Sequence, residues 1–555
     1  MEVKNSHTLK LRDRLDIKNE FPIDQENKEF NYAIDFIQNT EKIVYITGKA
    51  GTGKTTFLRH LRSITKKNTI VLAPTGVAAI NAGGQTIHSY FQIKPGVYLP
   101  YDKRLRFHAD ANDQDKSTIY DHFRYFKEKS ETIKATELLI IDEISMVRCD
   151  LLDLVDKILR YYRQNYHKPF GGVQVVLIGD TFQLPPIAEH EHWEILKTCY
   201  DSEFFFSARV IMENPPVYIE LKKIYRQNES AFIDILNKIR VNQVNFDDLN
   251  LLNSKYQPNF EPSDNEKYIM LATHNKIVDE TNLSKLEELP GDIYEFEALI
   301  DGVFPDSIFP TEKVLQLKIG AQIIFIKNNA SKNYYNGKIG IITDFADNKI
   351  IVTDAHGEEI SVDPYKWENI RFNLNKKTRK IEEDVIGTFR QFPIKLAWAI
   401  TVHKSQGLTF EKVIADIGGA FAPGQVYVAL SRCTSFSGLV LKSKINFGAI
   451  KTNPKVLEFA KNEISNIQIE KELNSGKADY YYEESRKAFK EKNFENSFDF
   501  LMKAIKCRND METDLFKRWI VINLNRLSEN SVKIIETEKI FRMKVKQRVI
   551  KKSKE

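Results

Sequence analysis

The chain has 555 residues, of which 42% are hydrophobic and 11% aromatic, with 35 Phe. Such a composition excludes a disordered chain and suggests roughly three to five folding units. The formal charge is only +5, so any grip on nucleic acid must come from local arrangement rather than from bulk charge. The best candidate for a membrane span, 72–93, contains Pro74, three glycines and several polar groups, which argues against a transmembrane helix. The N-terminus is charged throughout and carries acids, unlike a signal peptide. Cys149, Cys199, Cys433 and Cys507 are far apart, so neither a disulfide framework nor a zinc site is expected. These features point to a soluble protein of a reducing compartment, with the bacterial cytoplasm as the expected location.

Residues 1–20 read as a solvated arm. A strand (42–47), a glycine loop, a helix from Lys54 and a strand (68–75) follow, the alternation of a parallel α/β sheet. Residues 89–130 break that rhythm and read as an insertion with a task or a lid. The rhythm resumes with a strand at 137–142, a helix near 150–165 and a strand at 173–180. A second α/β unit is expected from 216, with strands at 217–221, 268–273, 394–401, 412–417 and 438–443. Within it, 312–384 carries short β-type runs between Asn-Gly, Asp-Asn and His-Gly turns, the pattern of a small antiparallel barrel. From 451 the chain reads as helical and charged. One stretch there, KNFENSFDFLMKAIKCRND, resembles the second helix of a tetratricopeptide hairpin. The tail 539–555 has eight basic residues and one acid.

The sharpest local signal is Gly48-Lys49-Ala50-Gly51-Thr52-Gly53-Lys54-Thr55, between a strand and a helix. Glycines let backbone N–H groups curl around phosphates, and the helix N-terminus adds positive potential. Lys54 is placed to reach the β- and γ-phosphates, and Thr55 to ligate Mg²⁺. The strand ending in Asp142-Glu143 sets two carboxylates at the same sheet edge. Asp142 suits Mg²⁺, and Glu143 suits activation of the attacking water. A switch GTPase would show D-x-x-G here and N-K-x-D later; the chain has Asp142-Glu143-Ile144-Ser145 and only Asn275-Lys276-Ile277-Val278. Gln183, in Gly179-Asp180-Thr181-Phe182-Gln183-Leu184-Pro185-Pro186, suits sensing of the γ-phosphate. The second unit has no phosphate loop, but it offers Arg226 and Arg432 as cations that complete the site when a cleft shuts.

Taken together, GKAGTGKTT, LAPTGVAAINAGGQTIHSYF, LIIDEISMV, KPFGGVQVVLIGDTFQLPPI, IYRQ, LKIGAQIIF, AWAITVHKSQGLTF and YVALSRCTS resemble, in order, the blocks of superfamily 1 DNA helicases. The resemblance is to the petite-integration-frequency (PIF-type) helicases of superfamily 1B, relatives of the RecD helicases, over roughly 21–445. It implies two RecA-like P-loop domains with parallel sheets (21–88 with 131–215, and 216–311 with 385–450). It also implies a wedge insertion at 89–130 in the first, a small β-barrel at 312–384 in the second, and a helical extension at 451–555. The implied activity is ATP- and Mg²⁺-dependent 5′→3′ unwinding of DNA. Single-stranded and forked DNA, G-quadruplexes and RNA–DNA hybrids are the implied partners, in a monomer serving repair, recombination or telomere maintenance. Gln25 matches the family's adenine-reading glutamine. Gly51, Thr52, Gly53, Lys54, Thr55 and Thr56 match its phosphate loop. Asp142, Glu143, Gln183, Arg226 and Arg432 match its acids, sensor and arginines. Thr75, Gly76, His88, Thr401, His403 and Ser405 fall in its strand-contacting blocks, while Lys404, Gln406 and Gly407 lie in the block linking strand to nucleotide. Hydroxyls, imidazoles and backbone N–H groups can hold phosphates without reading sequence. Tyr90, Phe91 and Trp398 read as core. A translocase or remodeller that does not separate strands, and an RNA-directed helicase, are the alternative readings.

Overall fold

The computed structural model describes residues 27–109, 113–225, 229–262, 266–329, 333–346, 349–354, 356–526 and 528. The arm at 1–20, Gln25, Arg226 and the basic tail at 539–555 lie outside the described residues. The chain divides into two units, Met1–Ser465 and Asn466–Glu555.

The first unit is an α/β fold with two parallel sheets. Six strands form the first sheet: β1 (Val44–Gly48), β2 (Thr69–Ala73), β3 (Gln85–Thr86), β4 (Leu138–Ile141), β5 (Gln174–Ile178) and β6 (Val217–Leu221). Their order is β3-β2-β4-β5-β1-β6, every neighbour parallel. β1, β4 and β5 are buried along their whole length. Helices on both faces demand such continuously apolar strands. Among these helices, Cys149–Tyr162 buries Leu152, Val155 and Leu159. β1, which feeds the phosphate loop, lies inside the sheet between β5 and β6.

The strand at 217–221 does not open the second α/β unit, as its position in the sequence suggests. It pairs with β1 in parallel from Val44↔Val217 to Gly48↔Leu221 and closes the first sheet. Against β1 and the helix Lys28–Asn39, Val217, Tyr218, Ile219 and Leu221 are all buried. The second sheet therefore starts at Ile269–Ala272. Its order is Ala399–Thr401, Ile269–Ala272, Val413–Asp416, Leu439–Leu441, again all parallel.

The antiparallel region is larger than 312–384. It runs from Tyr294–Glu297 and Leu299–Gly302 to Ile381–Gln391 and Ile394–Leu396, in sheets of two, five and three strands. The apolar run at 394–401, expected as one strand, is two. Ile394–Leu396 pairs with Gln322–Phe325 in the antiparallel sheet, and Ala399–Thr401 enters the parallel one. Gln322 holds the change of direction, its side-chain amide donating to the carbonyls of Tyr268 and Ala397 at 2.7 Å each. The long hairpin Tyr365–Leu374/Ile381–Gln391 leans on the first α/β layer through Arg62–Glu383 (2.7 Å), Leu374 N to Thr132 Oγ1 (3.1 Å) and Ile381 N to Asn68 Oδ1 (3.1 Å).

The described residues of 89–130 are packed rather than a loose lid. Tyr90, Phe91, Tyr98, Leu105, Ile119 and Phe123 are buried in the main core, and Arg106 ties the segment to itself through Asp113 (2.9 Å) and Ser117 O (2.6 Å). Trp398 is half-buried against the core of the antiparallel region, as read from its apolar strand.

The described part of the second unit is mainly helical. Asn466–Lys490 and Phe494–Cys507 form a hairpin around Ala478, Tyr482 and Ala504. Ser485 and Ser497 exchange hydroxyl-to-carbonyl hydrogen bonds of 2.8 and 2.9 Å, which only small side chains at the helix crossing permit. No described helix is long and apolar enough to cross a membrane.

Candidate nucleotide site and strand-facing loops

The phosphate loop follows β1 and ends at the helix Lys54–Ile64. A Cβ on Gly48 would lie 2.4 Å from Thr52 Oγ1 and 2.8 Å from Leu221 O, so only glycine lets the loop turn this tightly beside β6. Thr52 is buried and its hydroxyl donates to Lys49 O at 2.9 Å. Lys54 Nζ donates to Gly48 O (2.7 Å) and Lys49 O (3.2 Å), which holds the ammonium at the loop it is expected to serve. Thr55 is exposed at the first helical turn and Thr56 half-buried. Gly51 and Gly53 have positive φ. Tyr225, whose backbone N–H donates to Gly51 O at 2.9 Å, sets its ring beside Gly53.

Asp142 and Glu143 leave β4 at the same sheet edge. Glu143 has φ 50° and ψ 44°, a left-handed conformation that costs a non-glycine residue about 1–3 kcal/mol and is worth keeping only where it aims a side chain. Its Oε2 accepts from Gln406 Nε2 at 2.9 Å. Both carboxyls retain some surface yet lie deep among protein atoms. Burial, then the neighbouring Glu143 carboxylate, pushes the Asp142 carboxyl from an ordinary 3.8 up to about 7. Burial raises Glu143 as well, against Lys54 and Arg432, whose charges favour its ionised form. Two crowded acids facing one ammonium are a donor set that a divalent cation would relieve.

Gln183 lies at the same edge, 7% exposed. Its Nε2 donates to Asp180 Oδ2 at 3.3 Å and its Oε1 accepts from Gln406 Nε2 at 3.4 Å. Gln406 therefore bridges Glu143 and Gln183 from the loop after Ala399–Thr401. Arg432 is 2% exposed. It donates to Val428 O (2.9 Å), Leu408 O (3.3 Å) and Ser431 Oγ (3.0 Å). Burial lowers its proton affinity, and the Glu143 charge pulls the other way. Arg432 thus faces the acids from within the second α/β layer. Gly407 has φ +82° and open space around it.

The strand-facing blocks sort by exposure. Thr75 caps the helix Gly76–Ala82 by accepting from Ala78 N. Gly76 meets the antiparallel region so closely that a Cβ would lie 2.7 Å from Ile308 Cγ2. His88 is half-buried, and burial and then the Arg148 charge lower its pKa. In the 401–407 loop, His403 and Lys404 are exposed. Ser405, expected as a strand contact, is fully buried and donates to Val402 O at 2.7 Å. Thr401 is also buried, its hydroxyl accepting from Lys404 N at 3.3 Å. These two hydroxyls shape the turn, because the hydrogen bonds that make it occupy them; His403 and Lys404 form the surface.

Five residues of the seam, Tyr427, Asp180, Arg240, Glu220 and Gly424, were given no role by the sequence patterns. Tyr427 accepts from Ala50 N (3.2 Å) and donates to Asp180 Oδ2 (3.5 Å). Arg240 pairs with Asp180 and Glu220, each at 3.2 Å. Tyr427 and Asp180 sit inside recognisable blocks, which was a usable signal. Arg240 and Glu220 carry none, since a lone charge on a helix or strand usually faces solvent. Gly424 marks a close approach of the two layers: a Cβ there would lie 2.5 Å from Gln183 O and 2.8 Å from Phe182 O, at φ +78°.

Two outcomes follow. Gly424→Ala should lower stability by about 1–3 kcal/mol, seen as a drop in Tm; an unchanged Tm would mean the layers are not pressed together there. For Asp142, a raised folded pKa means that the folded protein gains stability on protonation. That contribution is complete below about 4 and is lost as pH rises through about 7. Asp142→Asn removes the cost of the carboxylate, so with a chelator present its Tm should exceed wild type at pH 8 by more than at pH 5. An equal difference at both pH values would contradict the buried-acid assignment.

Comparison with known proteins agrees with this geometry. A family model described as PIF1-like helicase matches residues 23–249. The chain is 30% identical over 511 residues to the ATP-dependent DNA helicase RRM3 of Saccharomyces cerevisiae, covering 77% of this chain and 66% of that one. It thus spans about two-thirds of the yeast relative's length. It is 32% identical over 467 residues to the ATP-dependent DNA helicase Pif1 of Campylobacter jejuni, covering 78% of this chain and 97% of the relative. The unliganded structure of Pif1 from Bacteroides sp is 42% identical, with TM-score 0.71, covering 79% of this chain and 97% of that one. The same Bacteroides protein bound to single-stranded DNA superposes with TM-score 0.55 at 41% identity, covering 80% and 97%. The phosphate loop, the paired acids and the bridging glutamine are thus those of a chain that belongs to the PIF1-like helicase family.

Proposed function

We propose that this chain is an ATP-dependent DNA helicase that moves on single-stranded DNA, with 5′→3′ polarity, and unwinds duplex DNA. The observation that carries the proposal is the position of Gln406. The loop that exposes His403 and Lys404 also hydrogen-bonds Glu143 and Gln183. A strand held on that loop thereby shares a turn with the residues that handle ATP.

In this reading Lys54 balances charge on the β- and γ-phosphates, and Glu143 accepts a proton from the attacking water. Mg²⁺, when bound by Asp142 and Thr55, neutralises phosphate charge. The exposed Tyr225 ring offers a stacking face for the base. Gln25 is assigned to the adenine edge on its match to the family's adenine-reading glutamine. Arg432 turns to the transferring phosphoryl group when the layers close. Arg226 is assigned the second arginine role on its match to the family's block alone. The two parallel sheets are read as RecA-like domains. The packed 89–130 segment serves as the wedge that parts strands, and the antiparallel strands serve as the barrel guiding them. Thr75, Gly76, His88 and His403 line the strand path. Better agreement with the unliganded than with the DNA-bound Bacteroides form supports reading the described arrangement as one without DNA. Forked DNA, G-quadruplexes and RNA–DNA hybrids are the proposed substrates, and the monomer the working unit, in genome maintenance.

Lys54→Ala should reduce ATP turnover by about 100-fold or more, since a transition-state contact to the phosphates is lost. Substantial turnover would remove Lys54 from the site. Wild type should unwind duplexes carrying a 5′ tail; unwinding from 3′ tails alone would reverse the proposed polarity.

A further inference from the structure

We propose that Arg240 is a positioning residue for ATP turnover: it holds Asp180 so that Asp180 fixes the orientation of the Gln183 amide between the two α/β layers. The proposal rests on the helicase reading above and adds a residue outside its nucleotide and DNA contacts.

Arg240 ends the helix Ser230–Arg240, which belongs to the second α/β layer. Phe232 packs against Phe436 at 5.7 Å, Glu229 Oε2 accepts from Phe436 N at 3.0 Å, and Arg240 O accepts from Thr452 Oγ1 at 3.0 Å. Its guanidinium nevertheless reaches the first sheet. It is 6% exposed, lies 4.0 Å over the Phe182 ring, and meets Asp180 Oδ1 and Glu220 Oε1 at 3.2 Å each. Asp180 follows β5 and Glu220 lies in β6, so one cation from the second layer is clamped between two acids of the first. A buried guanidinium needs such partners, and the planar fork suits two carboxylates at once.

Asp180 has no exposed surface, and its two oxygens have separate duties. Oδ1 accepts from Phe182 N (3.2 Å) and Arg240. Oδ2 accepts from Gln183 Nε2 (3.3 Å) and the Tyr427 hydroxyl (3.5 Å). An amide is asymmetric: with its NH₂ pinned on Asp180, Gln183 must turn its oxygen towards the Gln406 NH₂. If the carboxylate rotates or is lost, the amide can flip. Two NH₂ groups then face each other, the Gln406–Gln183 contact is lost, and Glu143 alone holds the strand loop. Arg240 thus converts the position of the second layer into the orientation of a side chain at the ATP site.

The test compares wild type, Arg240→Met, Asp180→Asn, the double variant and Arg240→Lys. It measures kcat and KM for ATP with saturating single-stranded DNA, the number of sites binding a fluorescent ADP, and Tm. Each single change should lower kcat about tenfold or more while KM moves by less than about threefold, because a transition-state geometry is lost rather than uniform binding. The double variant should be no worse than the worse single one, because the two act through one contact. Arg240→Lys should recover part of kcat by restoring charge without the fork. Additive losses, wild-type kcat in Arg240→Met, or a fall in binding sites and Tm that accounts for the whole loss would overturn the proposal. If Arg240→Met fails to fold, Asp180→Asn and Arg240→Lys carry the same comparison. Absence of DNA-stimulated turnover in wild type would sink the helicase reading itself, whereas additive losses in an active enzyme remove only Arg240.

Discussion

The hydrogen bond from Gln406 Nε2 to Glu143 Oε2 at 2.9 Å is the shortest of the polar contacts that join the two halves of the site, beside Gln406–Gln183, Tyr427–Ala50 and Arg240–Asp180. Everything around it secures the ends of that contact. Glu143 is turned into a left-handed conformation to reach it. Ser405 and Thr401 are buried to fix the loop that carries Gln406. Gly424 allows the next helix of the second layer to lie on the Gln183 carbonyl. In a low-dielectric seam such polar contacts are strong when complete and costly when broken, so the two layers have few intermediate positions. The proposed motor needs that property, since small changes at phosphate must become discrete movements.

The same seam explains the electrostatics. Burial raises both carboxyls, and the neighbouring Glu143 carboxylate raises Asp142 further. The cations nearest them come from different layers: Lys54 from the phosphate loop and Arg432 from the second layer. Nucleotide and Mg²⁺ complete the charge balance in the proposed cycle, which gives ATP binding a reason to draw the layers together.

Most of the chemistry was legible in the sequence because it sits in contiguous blocks. A phosphate loop between strand and helix, and acids at a strand end, are local patterns with local physical reasons. What was not legible depends on tertiary pairing. Val217–Leu221 has the same apolar pattern whichever sheet receives it, and only the register against β1 decides. The run at 394–401 hid a change of sheet because Ala397 and Trp398 are apolar on either path. Ser405 resembled an exposed hydroxyl because a block gives identity and not burial. Arg240 gave no signal at all, since its partners Asp180 and Glu220 lie 60 and 20 residues away in the chain.

The central claim is that the strand-facing loop speaks to the ATP acids through Gln406. The direct measurement is ATP turnover of Gln406→Ala with and without saturating single-stranded DNA, alongside nucleotide and DNA binding. The account predicts that both ligands still bind within about threefold of wild type while DNA stimulation falls about tenfold or more, as expected when a contact made only in the coupled state is lost. Full stimulation by DNA in that variant would contradict it.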